Sequence, residues 1–343
     1  MDIARNILAA TPGVEGPVSF PLDFPWAVSR RLNETRPRAI IFIDTEIWPN
    51  LISKAADRRV PLFLANGRIS DKSFTRYRAI RWYLKPLLEK FTLFWMQSEL
   101  NAERIRVLGA PPDRVRVAGN LKIDSMSAGL ASTAASPQDK PQAGPPLFLA
   151  VSTHSGEEEI LLAAAKSWRD RNKSVRLAIA PRHPERAKTI GPLIESFGFH
   201  PILRSAERNK RSADDPAWPK EAGAADVLLI DTIGEMSRFY PLADAVFVGG
   251  SLVSAGGHNI FEPAAFGRPI LFGPHMENFR EAEEILSGHG AIRVQTADRL
   301  AAEAELLLFD RQKAVSLGET ARSTFRSLQG AADRIAAELS ESL

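Results

Sequence analysis

The chain has 343 residues, of which 44% are hydrophobic and 25% charged, the composition of a soluble globular protein of about two domains. It contains no cysteine, which excludes disulfides and thiolate metal sites. It has no apolar run long enough to span a bilayer, and its first residues are too polar for a signal peptide.

The formal net charge is only +3, but the basic residues are unevenly distributed. Two early clusters contain Arg30, Arg31, Arg36 and Arg38, and then Arg76, Arg78, Arg81 and Lys85. Such a cluster is either a solvated helix face or a surface that meets anionic lipid or phosphate, and both interpretations stay open. The clusters lack the repeated basic and aromatic interleaving of a nucleic-acid surface, so we expect no nucleic-acid partner.

The first third of the chain alternates short apolar runs with helix-like patterns. The strands are predicted at 39–44, 61–65, 93–97 and 115–118, and the helices between them at 50–58, 73–90 and 99–108. This alternation predicts a parallel sheet with helices on its faces. The chain opens on a helix-like piece, residues 3–10, with no strand before it, as if it began partway through a βα unit.

Residues 125–146 are rich in Ser, Ala and Pro and lack aromatics, which is typical of an interdomain linker. Strand-like runs resume at 147–151, 175–180, 227–231, 245–248, 269–272 and 291–294, with a polar loop at 207–223. We therefore predict an α/β protein with two Rossmann-like domains, residues 1–124 and 147–343, and a ligand cleft between them.

Three loops of the second domain carry a helix-capping pattern after a strand. The pairs are Ser155 with Glu158, Thr232 with Glu235, and Asn259 with Glu262. The last pair follows two glycine pairs and His258, where the backbone can approach a ligand closely. Together the loops predict a phosphate-bearing ligand at the carboxyl edge of the sheet, with the carboxylates accepting hydrogen bonds from sugar hydroxyls. A purely structural capping box is the alternative.

Three charged residues that follow other strands can each have either a ligand-binding or a structural role. Arg182 can fork onto a phosphate, or it can be a surface residue before a helix. Glu46, beside Trp48, can face the cleft, or its loop can merely cap a helix at Asn50. Lys122 can neutralise a ligand's charge, or it can be an ordinary ion-pair partner.

The sequence lacks the motifs of other common ligand sites. No G-x-G-x-x-G follows a strand, and no phosphate-binding G-x-x-x-x-G-K-[ST] is present. The six histidines form no H-x-x-x-H pair, so we expect no metal site.

The motifs together resemble one family, the 3-deoxy-D-manno-octulosonic acid (Kdo) transferases of lipopolysaccharide synthesis. The similar segments are TEIWPN (45–50), LANGRISDKS (64–73), QSELNAERIRVLGA (97–110), GNLKID (119–124), STHSGEEE (152–159), PRHPER (181–186), DTIGEMSRFY (231–240) and GGSLVSAGGHNIFEPAAFG (249–267). They cover nearly the whole chain outside the linker and the polar loop, and few other families share them.

The resemblance implies a GT-B fold and an inverting transfer of Kdo from CMP-Kdo to the lipid A precursor. It places the reaction at the cytoplasmic face of the bacterial inner membrane, with this chain peripheral to it. The implied CMP contacts are Pro181, Arg182, Gly234, Glu235, Met236, Asn259, Ile260, Phe261 and Glu262. Glu46 and Lys122 match positions that stabilise the transition state. No cofactor or metal is implied, since Arg, Lys and helix dipoles can stabilise the leaving CMP.

The sequence departs from the family at its start. Members of the family begin with a membrane-associating segment and a βα unit that carries the general-base Glu, and this chain starts after both. The departure leaves a donor-binding protein without transfer as one alternative. A GT-B enzyme that uses a UDP-sugar is another, although such enzymes do not share TEIWPN or GNLKID. The first domain is also expected to expose an apolar sheet edge.

Overall fold

The computed structural model describes residues 22–130, 144–210, 223 and 225–343. Its described residues form two compact units. Unit 1 comprises residues 22–121 and Gly330–Leu343, and unit 2 comprises Lys122–Gln329. The predicted helix at residues 3–10 lies outside the described residues, as does most of the predicted linker.

Unit 1 is built on a four-stranded parallel sheet in the order β1-β2-β3-β4. The strands are β1 (Ile40–Ile43), β2 (Leu62–Gly67), β3 (Leu93–Met96) and β4 (Val115–Val117). Strand β2 is buried along its whole length, as the apolar run predicts for a central parallel strand. The edge strand β1 exposes Ile41 and Ile43 to 42% and 53%, so the expected apolar edge is present.

In the described part of unit 1, one helix precedes these strands and four connect them before the chain enters unit 2. They are α1 (Pro25–Thr35), α2 (Pro49–Asp57), α3 (Asp71–Ala79), α4 (Arg81–Leu88) and α5 (Glu99–Leu108). The single helix predicted over 73–90 is in fact two, because Ile80 leaves helical geometry at φ −110° and ψ 23°. Helix α4 buries Leu84, Leu87 and Leu88, whereas α3 buries no residue. The α3 segment is therefore a surface element.

The last helix of the chain, α15 (Ala331–Ser342), belongs to unit 1 and not to the second domain predicted at 147–343. Ile335 packs in a small core with Phe63 and Trp95. The Trp95 indole Nε1 donates to Glu338 Oε2 over 2.8 Å, and the Arg334 guanidinium donates to the Ala118 carbonyl. Such pairing after a gap of more than 200 residues leaves no periodic signal in the sequence.

Unit 2 is built on a seven-stranded parallel sheet in the order β11-β10-β9-β5-β6-β8-β7. The strands are β5 (Leu147–Thr153), β6 (Arg176–Pro181), β7 (His200–Leu203), β8 (Asp226–Leu229), β9 (Ala245–Val248), β10 (Ile270–Phe272) and β11 (Ala291–Arg293). The sequence pattern did not predict β7, which begins with His and Pro and exposes both of its ends.

Helices on both faces cover this sheet and complete two hydrophobic cores. They are α7 (Glu157–Asp170), α8 (Ala187–Ser196), α9 (Arg204–Lys210), α10 (Met236–Phe239), α11 (Phe261–Ala265), α12 (Arg280–Leu286), α13 (Ala297–Phe309) and α14 (Arg311–Ser327). Helix α6 (Leu121–Leu130) begins at the last residue of unit 1. The predicted linker therefore starts inside a helix, and the predicted loop at 207–223 starts inside α9.

The two parallel-sheet units confirm the predicted fold class. Among the described residues, no helix combines the length and the apolar character needed to cross a membrane.

Candidate donor-binding site

The candidate site lies at the carboxyl edge of the unit 2 sheet. The chain passes from β5 to β6 on one side, and later returns to place β9 on the other side of β5. Strand order therefore reverses between β5 and β9, and ligands of open α/β sheets bind at such a point. The loops that follow β5, β6, β8 and β9 all open at this edge.

Glu157, the first residue of α7, holds the glycine loop after β9. It is fully buried, and its two carboxylate oxygens accept four backbone N–H groups, from His154, Gly250, Ser251 and Leu252, over 2.7–3.1 Å. A Cβ on Gly249 would lie 2.7 Å from Glu157 Oε2, so glycine is required for this close approach. The donors that we expected to face a ligand are thus turned toward a carboxylate of the protein itself.

Glu158, also fully buried, links the loops after β5 and β6. It forms a two-point ion pair with the Arg186 guanidinium over 2.7 and 3.1 Å and accepts the Thr153 hydroxyl over 2.7 Å. This carboxylate raises the pKa of Arg186. The predicted cap of Glu158 by Ser155 is wrong, because α7 begins at Glu157 after Gly156, with no side-chain cap.

Glu235 is held in the same way in the loop after β8. Its carboxylate accepts the buried Arg204 guanidinium over 3.1 and 3.3 Å and the Thr232 hydroxyl over 2.5 Å. Helix α10 begins only at Met236, so the predicted Thr232 cap is also wrong. Sequence reasoning missed Arg204, which follows the unpredicted strand β7.

These pairings correct one expectation. Glu158 and Glu235 are saturated by protein donors, so they do not present free carboxylates to sugar hydroxyls. These two carboxylates instead stabilise the loops that carry the other candidate residues.

Glu262 is the third motif carboxylate, and it is only half-buried. It accepts the Tyr240 hydroxyl over 3.1 Å, and burial, followed by the charge of Glu262, raises the pKa of Tyr240 well above its usual value. Asn259 Oδ1 accepts the N–H of Phe261 over 3.0 Å, two residues on, in place of the predicted capping box. Ile260 and Phe261 are buried, so their side chains are not open to a ligand.

The loops after β6 and β8 contribute the remaining predicted contacts. Pro181 is the last residue of β6 and is buried, while Arg182 is exposed. Within the described chain, no residue pairs with the Arg182 guanidinium. Gly234 is exposed at φ +84°, a left-handed conformation that suits glycine, and Met236 is half-buried. All nine predicted donor contacts therefore lie in the loops at one edge of one sheet or in the strand and helix ends that flank these loops.

Two histidines meet at the centre of this edge. Their Nε2 atoms lie 2.9 Å apart, and the rings of His154 and His258 stack at 5.2 Å. The pKa of His258 is lowered to about 4 by burial first, and then by His154, Arg182 and His183. The sequence pointed to His258 only as a neighbour of the glycines, and its pairing with His154 was not predicted.

The other two predicted site residues follow strands of unit 1 along the chain. Glu46 follows β1 and is exposed, and no described residue pairs with its carboxylate. Lys122 is exposed at the start of α6 and has a partner. The two residues belong to different units.

A buried residue that we did not predict, Asn66, ties these strand ends together. It lies in β2 at φ +60°, a conformation that Asn tolerates better than most residues. Its Nδ2 donates to Asp44 Oδ1 over 2.7 Å, and its Oδ1 accepts the N–H of Leu121 over 3.0 Å. Gln97 donates to its carbonyl over 3.2 Å. Asn66 thus links Asp44, two residues before Glu46, to Leu121, the residue before Lys122.

No cluster of three or more potential ligands among the described residues has the geometry to hold a metal ion.

Comparison with known proteins identifies the family of the chain. Residues 2–125 match the family model described as 3-deoxy-D-manno-octulosonic-acid transferase. The 3-deoxy-D-manno-octulosonic acid transferase of Haemophilus influenzae is 33% identical over 318 residues, which are 92% of this chain and 72% of the relative. The chain belongs to the Kdo transferase family. Members of this family are glycosyltransferases.

Two further comparisons define how far the similarity extends. The transferase of Rickettsia felis is 30% identical over 89% of this chain, which spans 63% of that relative's length. Both relatives are thus longer than this chain. Among solved structures, UDP-GlcNAc 2-epimerase from Neisseria meningitidis bound to UDP-GlcNAc superimposes with a TM-score of 0.59 at 14% identity, covering 92% of this chain and 80% of that one. This likeness supports the GT-B fold alone.

Proposed function

We propose that this chain transfers Kdo from CMP-Kdo to the lipid A precursor, with inversion at the sugar and without a metal ion. Family membership supports the reaction class. The observation that carries the donor assignment is the convergence of the loops after β6, β8 and β9 on one sheet edge of unit 2.

The state of each side chain decides its role in donor binding. The unpaired guanidinium of Arg182 is a forked donor for the CMP phosphate. Glu235, Ile260 and Phe261 are buried and shape the loops, whereas Asn259 and Glu262 are half-buried and offer side chains to the nucleoside. Exposed Gly234 allows the ligand to approach the loop closely.

Two residues outside these loops are proposed to act on the transition state. Glu46 and Lys122 are exposed at the carboxyl ends of strands, and their opposite charges suit a positive sugar ring and a negative leaving group. Departure of CMP leaves negative charge on the phosphate. Arg182 and Lys122 neutralise that charge in place of a metal ion.

A lipid acceptor implies that the protein works at a membrane surface. The α3–α4 segment of unit 1 has side chains suited to binding such a surface. Trp82 is 79% exposed, and Ile80 and Tyr83 are also exposed. No described residue forms an ion pair with Arg76, Arg78 or Arg81. Aromatic side chains favour the membrane interface, and each cation near anionic lipid contributes about 1 kcal/mol. We propose that this patch docks on the anionic cytoplasmic leaflet.

A vesicle experiment tests the membrane patch. Sedimentation with vesicles containing phosphatidylserine should recover less protein after joint replacement of Arg76, Arg78 and Arg81 by Ser. Joint replacement of Arg30 and Arg31 by Ser is the control, since Glu34 already neutralises these residues in part. Equal loss in both variants would contradict the proposed patch.

A transfer assay tests the proposed reaction. The purified chain is incubated with CMP-Kdo and lipid A precursor, and the mass of the lipid is followed. We expect Kdo addition, lowered by Glu46→Gln and by Lys122→Met. Binding of CMP-Kdo without any transfer would instead identify a donor-binding protein, and tighter binding of UDP-sugars than of CMP would point to a different GT-B enzyme.

A further inference from the structure

The stacked ring pair of His154 and His258 occupies the switch point of the unit 2 sheet. His154 follows β5, and His258 lies in the loop after β9, the two strands between which strand order reverses. The pair stands over Gly250, whose added Cβ would lie 3.0–3.2 Å from both rings. Its position is thus fixed by backbone at the centre of the site.

A hydrogen-bonded pair of neutral imidazoles has a defined proton count. One Nε2 donates its hydrogen to the other, so one outward Nδ1 carries a hydrogen and the other does not. Addition of one proton to the pair turns the second Nδ1 into a donor as well. In the described part of the chain, no group is hydrogen-bonded to Nδ1 of either ring.

The surroundings of the pair are cationic. Arg182 and His183 face it from the loop after β6, and the Phe279 ring packs on His258 from the loop after β10. In the loop after β10, Nδ1 of His275 lies 3.5 Å from Oε1 of Glu277. From β5 and α7, the nearest carboxylate is Glu157, whose oxygens are committed to four backbone N–H groups. From α11, the carboxylate of Glu262 accepts the Tyr240 hydroxyl. The rings themselves therefore face a cation and another ring nitrogen, and the carboxylate beside them is already committed.

We propose that the His154–His258 pair, together with Arg182, binds the anionic group of the donor and takes up one proton from solvent as it does so. The anionic group is the phosphate or the sugar carboxylate, which share this chemistry. The identity of the ligand rests on the proposed function, whereas proton uptake by the pair does not.

The proposal sets the direction of the pH dependence. Burial and the neighbouring cations lower the pKa of His258 to about 4 in the free protein, and a bound anion opposes those cations. The complex then holds a proton that the free protein lacks. Affinity should fall as pH rises, by up to about tenfold per pH unit where the linkage is one full proton.

Calorimetry measures the uptake directly. CMP is titrated into the full chain and into His258→Gln between pH 5.5 and 7.5, in buffers of different ionisation enthalpy. Cytidine, which has no phosphate, is titrated into the full chain under the same conditions. The titration of His258→Gln gives the proton linkage of the phosphate itself, whose own pKa is about 6. We expect the unmodified chain to take up about 0.5 proton or more per CMP in excess of the uptake by His258→Gln, and cytidine to cause no uptake.

Controls separate folding and ligand identity from the proposal. His200→Gln, at the opposite end of the sheet, should keep the full uptake, and His154→Gln should lose it as His258→Gln does. If uptake is seen with CMP-Kdo but not with CMP, the carboxylate is the group bound. If neither ligand binds, the proposed function fails, and inorganic phosphate then tests the pair alone. Equal uptake in the unmodified chain and in both pair variants, with whichever anion binds, would overturn the proposal.

Discussion

The carboxyl edges of the two sheets are organised by different chemistry. In unit 2, the buried carboxylates Glu157, Glu158 and Glu235 hold the loops. In unit 1, the neutral amide of Asn66 links the strand ends, while the carboxylate of Glu46 is exposed. Both edges are fixed by polar groups whose partners come from distant strands. The difference lies in whether the charged groups are committed to the protein or left exposed.

This comparison shows which motif residues are free to act on a ligand. A carboxylate that accepts four N–H groups or a two-point ion pair has little capacity left for substrate. The groups without a committed partner are Arg182 and the outward ring nitrogens in unit 2, and Glu46 in unit 1. The acidic motif residues Glu158 and Glu235 of unit 2 are therefore structural, whereas Arg182, the histidine rings and the half-buried Glu262 remain for binding.

The largest effect is expected for Glu157→Gln, which breaks the organisation of the unit 2 edge. The amide NH₂ would face two backbone N–H groups in place of an acceptor, at about 1–3 kcal/mol for each buried donor left unpaired. Urea unfolding should therefore show a loss of about 2–6 kcal/mol. Glu159→Gln, on the exposed face of the same helix, is the control. A similar small loss in both variants would mean that the loop does not depend on this carboxylate.

A smaller effect is expected for Arg204→Met, which removes the buried cation beside Glu235. Thr232 and Arg238 remain near the carboxylate, so we expect the loss of a charged hydrogen bond, about 1.5–3 kcal/mol in urea unfolding. Arg238 lies 3.7 Å from the same carboxylate and is less buried than Arg204, so Arg238→Met should cost less. The reverse order would show that Arg204 is not the main partner.

In unit 1, substitutions of Asn66 separate its backbone from its side-chain role. Both Asn66→Ala and Asn66→Gly lose the hydrogen bonds to Asp44 and Leu121. The left-handed backbone conformation costs Ala about 1 kcal/mol more than Gly, so Asn66→Ala should be the less stable variant. Asn172, which lies on the surface at φ +55°, is the control position, because its replacement by Gly changes only the conformational preference of the backbone. Asn66→Gly should destabilise more than Asn172→Gly in thermal unfolding. Equal losses would leave Asn66 with no role beyond its conformation.

A pH dependence of stability is also expected from His258. Its pKa is about 4 in the folded chain and about 6.5 unfolded, so the unfolded state takes up the proton first as pH falls. Stability should drop between pH 6.5 and 4, and less steeply in His258→Gln. Thermal unfolding of both proteins across this range measures the slopes. Parallel slopes would contradict the burial of a neutral ring.

Much of the fold could be predicted from the sequence, because buried parallel strands leave continuous apolar runs. All strands except β7 were expected within a few residues of their ends, and 245–248 was expected with its observed bounds. Strand β7 is short, contains Pro201 and exposes both ends, so its composition gave no such signal. The break at Ile80 and the return of α15 to unit 1 depend on tertiary packing, which apolar spacing does not encode.

The candidate site was predictable as a set of loops but not as a set of contacts. The loops follow strands, and parallel topology brings strand ends to one edge. The contacts of Glu157 with residues 250–252, of Arg204 with Glu235 and of His154 with His258 span from 31 to 104 residues. No local pattern distinguishes these carboxylates from helix caps. Their saturation by protein donors is visible only in three dimensions.

The central claim is that the carboxyl edge of unit 2 binds the CMP moiety of the donor through Arg182. Calorimetric titration of CMP into the unmodified chain and into Arg182→Met tests it most directly. The predicted result is that CMP binds and that its affinity falls about 10- to 100-fold in Arg182→Met, as expected when one charged hydrogen-bonding partner is lost. Equal affinity in the two proteins, or a preference for UDP over CMP, would contradict it.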